Sequence, residues 1–354
     1  EITTGDSVEQ GKSVVFTAKP APDYVVEQWT NGGTVIGEAG TNKTYTHTVT
    51  ADADIKVKFK SLQAVLTLSP DKLTIGVTAV TSDGSAVAVE GCTETSLASG
   101  SIYTWLHATG TVVILKGKII ELDCSGTYND NNKLTALNVQ GLTALLKLFC
   151  SNNRFTALDV QGLSTLQYLD CDNNQLTALD VQGLSALQWL WCYNNRLTAL
   201  NIQGCTALKG LECYSNQLTD LNVQGCTALQ GLGCYNNQLT ALNVQGLTAL
   251  RWLYCGNNQL TTLNVQGLTA LRTLRCYNNK LTAQAFTKLF DDLPARQDSD
   301  KGECILYTEE SGVIEGNHKD FSTPEALKTA FLNAKNNKKW KMYKWNGSWP
   351  GVEI

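Results

Sequence analysis

Charge is scarce in this chain of 354 residues. Lys, Arg, Asp and Glu make up 17% of it, 28 basic against 32 acidic, for a net charge of −4. A chain of that balance has no broad basic surface for the phosphates of a nucleic acid. Its apolar runs are short, and none reaches the roughly 20 residues that a transmembrane helix needs. No signal-like segment stands at Glu1, so the chain is expected to be a mature or trimmed fragment. There are three histidines, His47, His107 and His318, in different segments, and no cysteine pair has C-x-x-C spacing. That excludes the common zinc arrangements. Neither a G-x-S-x-G elbow nor a phosphate-binding loop occurs. No enzyme activity and no cofactor are expected.

What is plentiful is repetition. Cys150, Cys171, Cys192, Cys213, Cys234, Cys255 and Cys276 recur every 21 residues, and each is followed three positions later by asparagine, from Asn153 through Asn279. A fixed period of this size marks a solenoid, in which one short unit stacks on copies of itself. The unit reads L-x-x-L-x-C-x-x-N-x-L-x-x-L-x-V-x-x-L, as in Leu187–Leu197. Leu190 and Cys192 alternate along a short strand and point inward. Copies of that strand pair into a parallel sheet at about 4.8 Å spacing. The asparagines fall where the chain turns off the strand, and a buried amide there supplies the donors and acceptors the turning backbone needs. Leu148 to Leu274 form one inward row and Val160 to Val265 another, with Ile202 in one place. Each buried aliphatic side chain contributes roughly 1.5–3 kcal/mol, but one coil alone leaves its apolar face open. The expected fold is therefore a leucine-rich-repeat horseshoe over residues 124–282, with the parallel sheet on its concave face.

Twelve cysteines would ordinarily point to disulfides. Here, cysteines on adjacent parallel strands all point into the core, in a geometry that disfavours bridging, and each acts as a small hydrophobe. Cys205 and Cys226 stand where Leu184 and Leu247 stand in other copies and follow the same logic.

The flanks differ in pattern. In residues 1–60, Val14–Ala18, Tyr24–Trp29, Tyr45–Val49 and Ile55–Phe59 read as short strands between Gly, Pro and Asp. The segment resembles the divergent internalin-type B-repeat of bacterial surface proteins, with its first strand missing. Residues 61–123, including Ala86–Val89 and Thr111–Leu115, read as a β segment that closes the open end of the stack. An irregular coil from Ile119 to Cys124 follows, with extra residues at Ser125–Asn131 expected to form a bulge. Residues 283–354 read as an α+β cap. It has an amphipathic helix over Ala283–Leu293, a second helix opened by a Ser322-Thr-Pro324-Glu325 capping box, and strands at Cys304–Tyr307 and Trp340–Lys344. Trp340, Trp345 and Trp349 are expected to be apolar contacts of that cap. The 21-residue unit together with both flanks resembles secreted or surface-attached bacterial leucine-rich-repeat proteins of the internalin type. That resemblance implies a location outside the cell or on its surface, and a role in adhesion to host or bacterial partners.

The columns that folding does not require carry the functional signal. Outward positions of the sheet read Lys147, Tyr168, Trp189, Gly210, Gly231, Trp252, Thr273; then Phe149, Asp170, Trp191, Glu212, Gly233, Tyr254, Arg275; then Ser151, Asp172, Tyr193, Tyr214, Tyr235, Gly256, Tyr277. Ten of these 21 positions are aromatic, against 8% of the chain. Exposed rings are unfavourable unless they bind something or pack on one another. Cross-strand stacking contributes about 0.2–1 kcal/mol per pair and accounts well for the Tyr193, Tyr214, Tyr235 run. Trp189, Trp191, Trp252 and Tyr254 flank a dip expected at Gly210, Gly231 and Gly233, which makes a hollow with aromatic walls. The candidate surface therefore consists of those four anchors, the amphipathic Tyr168, Tyr193, Tyr214, Tyr235 and Tyr277, and the orienting charges Asp170, Asp172, Glu212 and Arg275. Two carboxylates fall short of a calcium cage. The partner is expected to be a protein or peptide. A glycan, or a purely structural role without a concave ligand, are the alternatives.

Overall fold

In this computed structural model, residues 8–21, 24–127, 133–297, 299–300, 302–348 and 351–354 are described. The tip of the expected bulge (128–131) and Trp349 lie outside them.

The chain folds as a leucine-rich-repeat solenoid. Three-residue strands, from Lys147–Phe149 to Thr273–Arg275, recur once per coil and pair in parallel, leucine to leucine. Each strand buries its central leucine fully and leaves the two flanking side chains on the outer face, as a period of two demands. Cys150 through Cys276 and Cys124 before them are fully buried beneath it. All twelve cysteines are unbridged thiols, and Cys92 alone is partly exposed. Desolvation pushes the ladder thiols far above their usual pKa, which keeps them neutral in the core.

The amide ladder forms as the asparagine column requires. Asn216 Nδ2 donates to the carbonyls of Cys192 (3.0 Å), Cys213 (3.1 Å) and Tyr214 (3.3 Å), while its Oδ1 accepts from Leu197 N at 2.9 Å. One side chain thus ties two coils together. The last rung is Asn317, beyond the periodic array, which donates to Cys276 O and Leu306 O and accepts from Leu281 N. The preceding column has a separate task. Asn152, Asn173, Asn194, Asn236, Asn257 and Asn278 all hold φ between 49° and 55°, the left-handed region that asparagine tolerates better than most residues. Ser215 holds the same conformation at φ 53°. Ser215→Asn is therefore expected to stabilise the protein by about 0.5 kcal/mol, read as a higher urea midpoint. An unchanged or lower midpoint would contradict that account.

Both ends of the sheet are covered by pairing. Thr74–Thr81 pairs antiparallel with Ile119–Asp123 at one end. At the other, Gly302–Thr308 and Trp340–Trp345 extend the parallel ladder before Val352–Glu353 turns antiparallel. Among the described residues the sheet counts 13 strands. Gln63–Leu68 pairs antiparallel with Leu134–Asn138, so the segment before the repeats engages the first coil along two strands. One apolar core runs continuously from Ala64 to Met342. Residues Ser13–Ser61 form their own small sheets around Trp29 and Tyr45, with a separate core.

Helix α1 (Ala283–Asp292) is capped by the Thr282 side chain and buries Phe286, Leu289 and Phe290. Helix α2 (Glu325–Asn336) starts later than its sequence signal indicates. Pro324 is its N-cap, without a side-chain cap bond. The expected capping box is not formed, because Ser322 Oγ donates instead to Asp320 Oδ1 at 2.6 Å.

Candidate functional site

The outward columns come together on the open face of the sheet. Tyr193, Tyr214 and Tyr235 lie on successive coils with ring centroids 4.4 and 4.3 Å apart and planes within 10°, so they form one continuous stack. Burial under neighbouring rings pushes the Tyr214 hydroxyl up to about 12, so the stack is neutral at any physiological pH. Trp189 and Trp191 tilt against each other at 6.2 Å, and the Arg275 guanidinium lies 4.3 Å from the Tyr254 ring centroid. Tyr168 lies under the Lys147 ammonium, which also pairs with Glu121 at 2.9 Å.

The glycine dip is not open, contrary to the sequence expectation. A Cβ on Gly210 would sit 2.4 Å from the Trp189 ring, and one on Gly233 would sit 1.8 Å from Glu212 Oε2. Each glycine gives room for the side chain of the preceding coil to lie flat over it. Trp189 therefore fills the space above Gly210, and the Glu212 carboxylate fills the space above Gly233.

The hollow lies further along the sheet. A cavity of about 460 Å³ is walled by Trp191, the three stacked tyrosines, Tyr254 and Tyr277, with Asp170 and Glu212 at one end and Arg275 at the other. Gly256 contributes to its lining, and Trp345 closes the rim, stacked on Tyr277 at 6.0 Å and donating from Nε1 to Glu310 Oε2. Trp345 was expected in the cap, as was Trp340. Trp340 is indeed buried there, with Nε1 donating to Pro294 O at 2.7 Å. Trp345 falls outside the 21-residue period, and only the register of Trp340–Trp345 beside the ladder brings it to the face. Trp189, Trp252 and Tyr168 lie on the same sheet but do not line the cavity, and Trp252 is 40% exposed.

The acids are unusual. Glu212 is pushed up to about 7 by burial, the only cause acting on it. Asp170 is likewise raised, first by burial and then by the neighbouring Asp172. Asp172 is 4% exposed, so it acts from beneath the surface rather than on it, and its Oδ1 has no hydrogen-bond partner among the described residues. Among the described residues, no three His, Cys, Asp or Glu converge as metal ligands would.

Fold and face together define a leucine-rich-repeat scaffold preceded by a small all-β module. Residues 1–63 match the divergent InlB B-repeat domain. Among solved structures the chain is similar to the functional domain of InlJ from Listeria monocytogenes, described as including a cysteine ladder. The two are 34% identical, with 53% of this chain and 39% of that one covered and a TM-score of 0.46. It is also similar to YopM from Yersinia enterocolitica, at 23% identity, 56% and 41% coverage and a TM-score of 0.43. The chain thus spans well under two thirds of either structure. A comparison with curated protein sequences found no match. Among the described residues no helix is long and apolar enough to cross a membrane.

Proposed function

We propose that this chain is a non-catalytic recognition protein of the bacterial surface, which holds a protein or peptide partner on the concave face of its repeats. On this reading residues 1–60 serve as a spacer, 61–123 and 283–354 close the two ends of the solenoid, and the outward aromatic columns supply the contacts. The observation that supports it is the aromatic-walled cavity. Its rings lie on a face whose folding is already secured by the leucine, cysteine and asparagine columns on the other side. Rings held half-buried and rigid in this way lose little entropy on contact, as interface anchors do. The tyrosine stack also stiffens the sheet, so Trp191, Tyr254 and Trp345 separate binding from packing better than the stacked rings do.

The expected result is that Trp191→Ala with Tyr254→Ala weakens binding at least about a hundredfold to a partner selected from displayed extracellular proteins and peptides, with little change in melting temperature. Trp189→Ala with Trp252→Ala, on the same face but away from the cavity, is expected to weaken it less. Unchanged affinity in the first pair, measured by calorimetry, would rule out the concave site. Selective retention of a glycan by the same variants' parent would move the reading to carbohydrate binding.

A further inference from the structure

The two carboxylates of the cavity flank an indole. Asp170, Trp191 and Glu212 occupy matching register positions on three consecutive strands. Adjacent strands lie about 4.8 Å apart, so Asp170 stands one strand from Trp191 on one side, and on the other the Glu212 side chain leaves the next strand and lays its carboxylate over Gly233. That is the arrangement an aromatic surface and two anions offer to a cation. Among the described residues, this end of the cavity does not supply one itself. Among the described residues no lysine or arginine forms an ion pair with Asp170, Asp172 or Glu212. Lys147 pairs with Glu121, and Arg275 lies over Tyr254 at the far end.

We propose that the cavity takes the basic side chain of a lysine or arginine projecting from the partner, its cationic head over Trp191 between Asp170 and Glu212 and its apolar stem along the stacked tyrosines. This deepens the reading of the concave sheet as a partner surface and rests on it. An anionic group would meet two carboxylates at this end. A neutral apolar group would leave them desolvated and without a countercharge.

The proposal has a pH signature. The titratable and charged groups packed around Glu212 are Asp170 and Asp172, the hydroxyls of Tyr193, Tyr214, Tyr235 and Tyr254, Arg275 beyond Tyr254, and the thiols of Cys192, Cys213 and Cys234 beneath the sheet. Burial carries Glu212 and Asp170 up to about 7, and it keeps the tyrosine hydroxyls and the thiols in their neutral forms. A bound cation favours the ionised forms of the two carboxylates, so binding releases protons and tightens as pH rises.

The probes are blocked single residues, N-acetyl-lysine amide and N-acetyl-arginine amide, with N-acetyl-norleucine amide as the uncharged counterpart and N-acetyl-glutamate amide as the anion. Binding to the full chain is followed by fluorine NMR of 5-fluorotryptophan-labelled protein, with the Trp191 resonance, one of eight, assigned by its loss in Trp191→Phe. The basic amides are expected to bind at least about tenfold tighter than norleucine amide and to tighten about threefold or more between about pH 6 and about pH 8. Glu212→Gln should cut that preference by about tenfold and flatten its pH dependence. Equal binding of norleucine amide, preferred binding of glutamate amide, or no binding of any probe overturns the proposal. A selected protein partner whose affinity falls in the Trp191→Ala, Tyr254→Ala variant, yet survives replacement of all its own interface lysines and arginines, also overturns it while leaving the concave-face reading intact. A partner indifferent to that double variant removes the face itself.

Discussion

Asn216→Ala is expected to lower the free energy of unfolding by about 2–4 kcal/mol, the largest effect of any single side-chain truncation proposed for this protein. The reason is accounting of backbone groups rather than lost apolar contact. Buried Asn216 bonds three carbonyls and one N–H, drawn from two coils; the carbonyls also accept from Asn195 Nδ2, Asn237 Nδ2 and Asn194 N, whereas Leu197 N relies on Asn216. Alanine leaves Leu197 N without its acceptor and each of the three carbonyls with one bond fewer, in a space closed by Cys192, Cys213 and Leu197, all fully buried. The orphaned N–H costs about 1–3 kcal/mol, and each carbonyl that keeps its other donor adds under about 1 kcal/mol. Asn216→Asp should be no better, because a carboxylate accepts from Leu197 N but has no N–H for the three carbonyls. Asn222→Ala is the control. That side chain also accepts a backbone N–H, from Gln224 at 3.0 Å, but at the exposed surface, and its loss should cost under about 1 kcal/mol. Urea unfolding followed by far-ultraviolet circular dichroism separates the two, and equal costs would refute the ladder's energetic role. In a solenoid each coil depends on its neighbours, so hydrogen exchange in the variant should speed first in the coils on either side of residue 216.

Glu212 gives the second large effect, as a stability that depends on pH. Its pKa in the folded protein is about 7 against 4.5 for the free side chain. Below the lower value both states are protonated and nothing is lost. Between about 4.5 and 7 the unfolded chain ionises while the folded one resists, so stability falls as pH rises, by about 1–3 kcal/mol in all. Asp170 adds to the same slope in the same direction, being raised by burial and by Asp172. Glu212→Gln should therefore flatten part of the slope and leave the protein more stable than the parent at about pH 8, and the double variant with Asp170→Asn should flatten most of it. Gly233→Ala tests the cause. Its Cβ would occupy the place of the Glu212 carboxylate, which must then swing into the cavity and toward solvent. The titration should drop back toward the ordinary carboxylate range, measured by carboxyl carbon NMR. A parent whose stability is flat or rises from about pH 5 to about pH 8 would show that the acids are solvated. The same desolvated carboxylates that weaken the free protein are what a partner's cation would relieve.

Much of this molecule could be read from spacing. A period of 21 residues fixes which side chains share a column, and alternation along a strand fixes which columns face inward. Leu190, Cys192 and Asn195 therefore found their places without any tertiary information, and the ten outward rings were identified by the same rule. Asn173 and its column, held at positive φ, carried a signal in the C-x-N-N spacing that can be recognised once the turn geometry is known.

The cavity itself could not be read that way, because a column lists which side chains share a face but not how they lie across it. Glycine at 210 and 233 looks like empty space in sequence, and in the folded sheet it is the seat of Trp189 and Glu212 from the coil before. Trp345 and Asn317 stand outside the period and reach the site and the ladder only because the C-terminal segment adds strands in register with the coils. The sequence alone determined the solenoid, the buried thiols and the aromatic face, since repetition of a short unit leaves one way to bury its leucines. Only the tertiary structure decided where that face is hollow and which acids it desolvates, since those follow from side chains of adjacent coils competing for the same space.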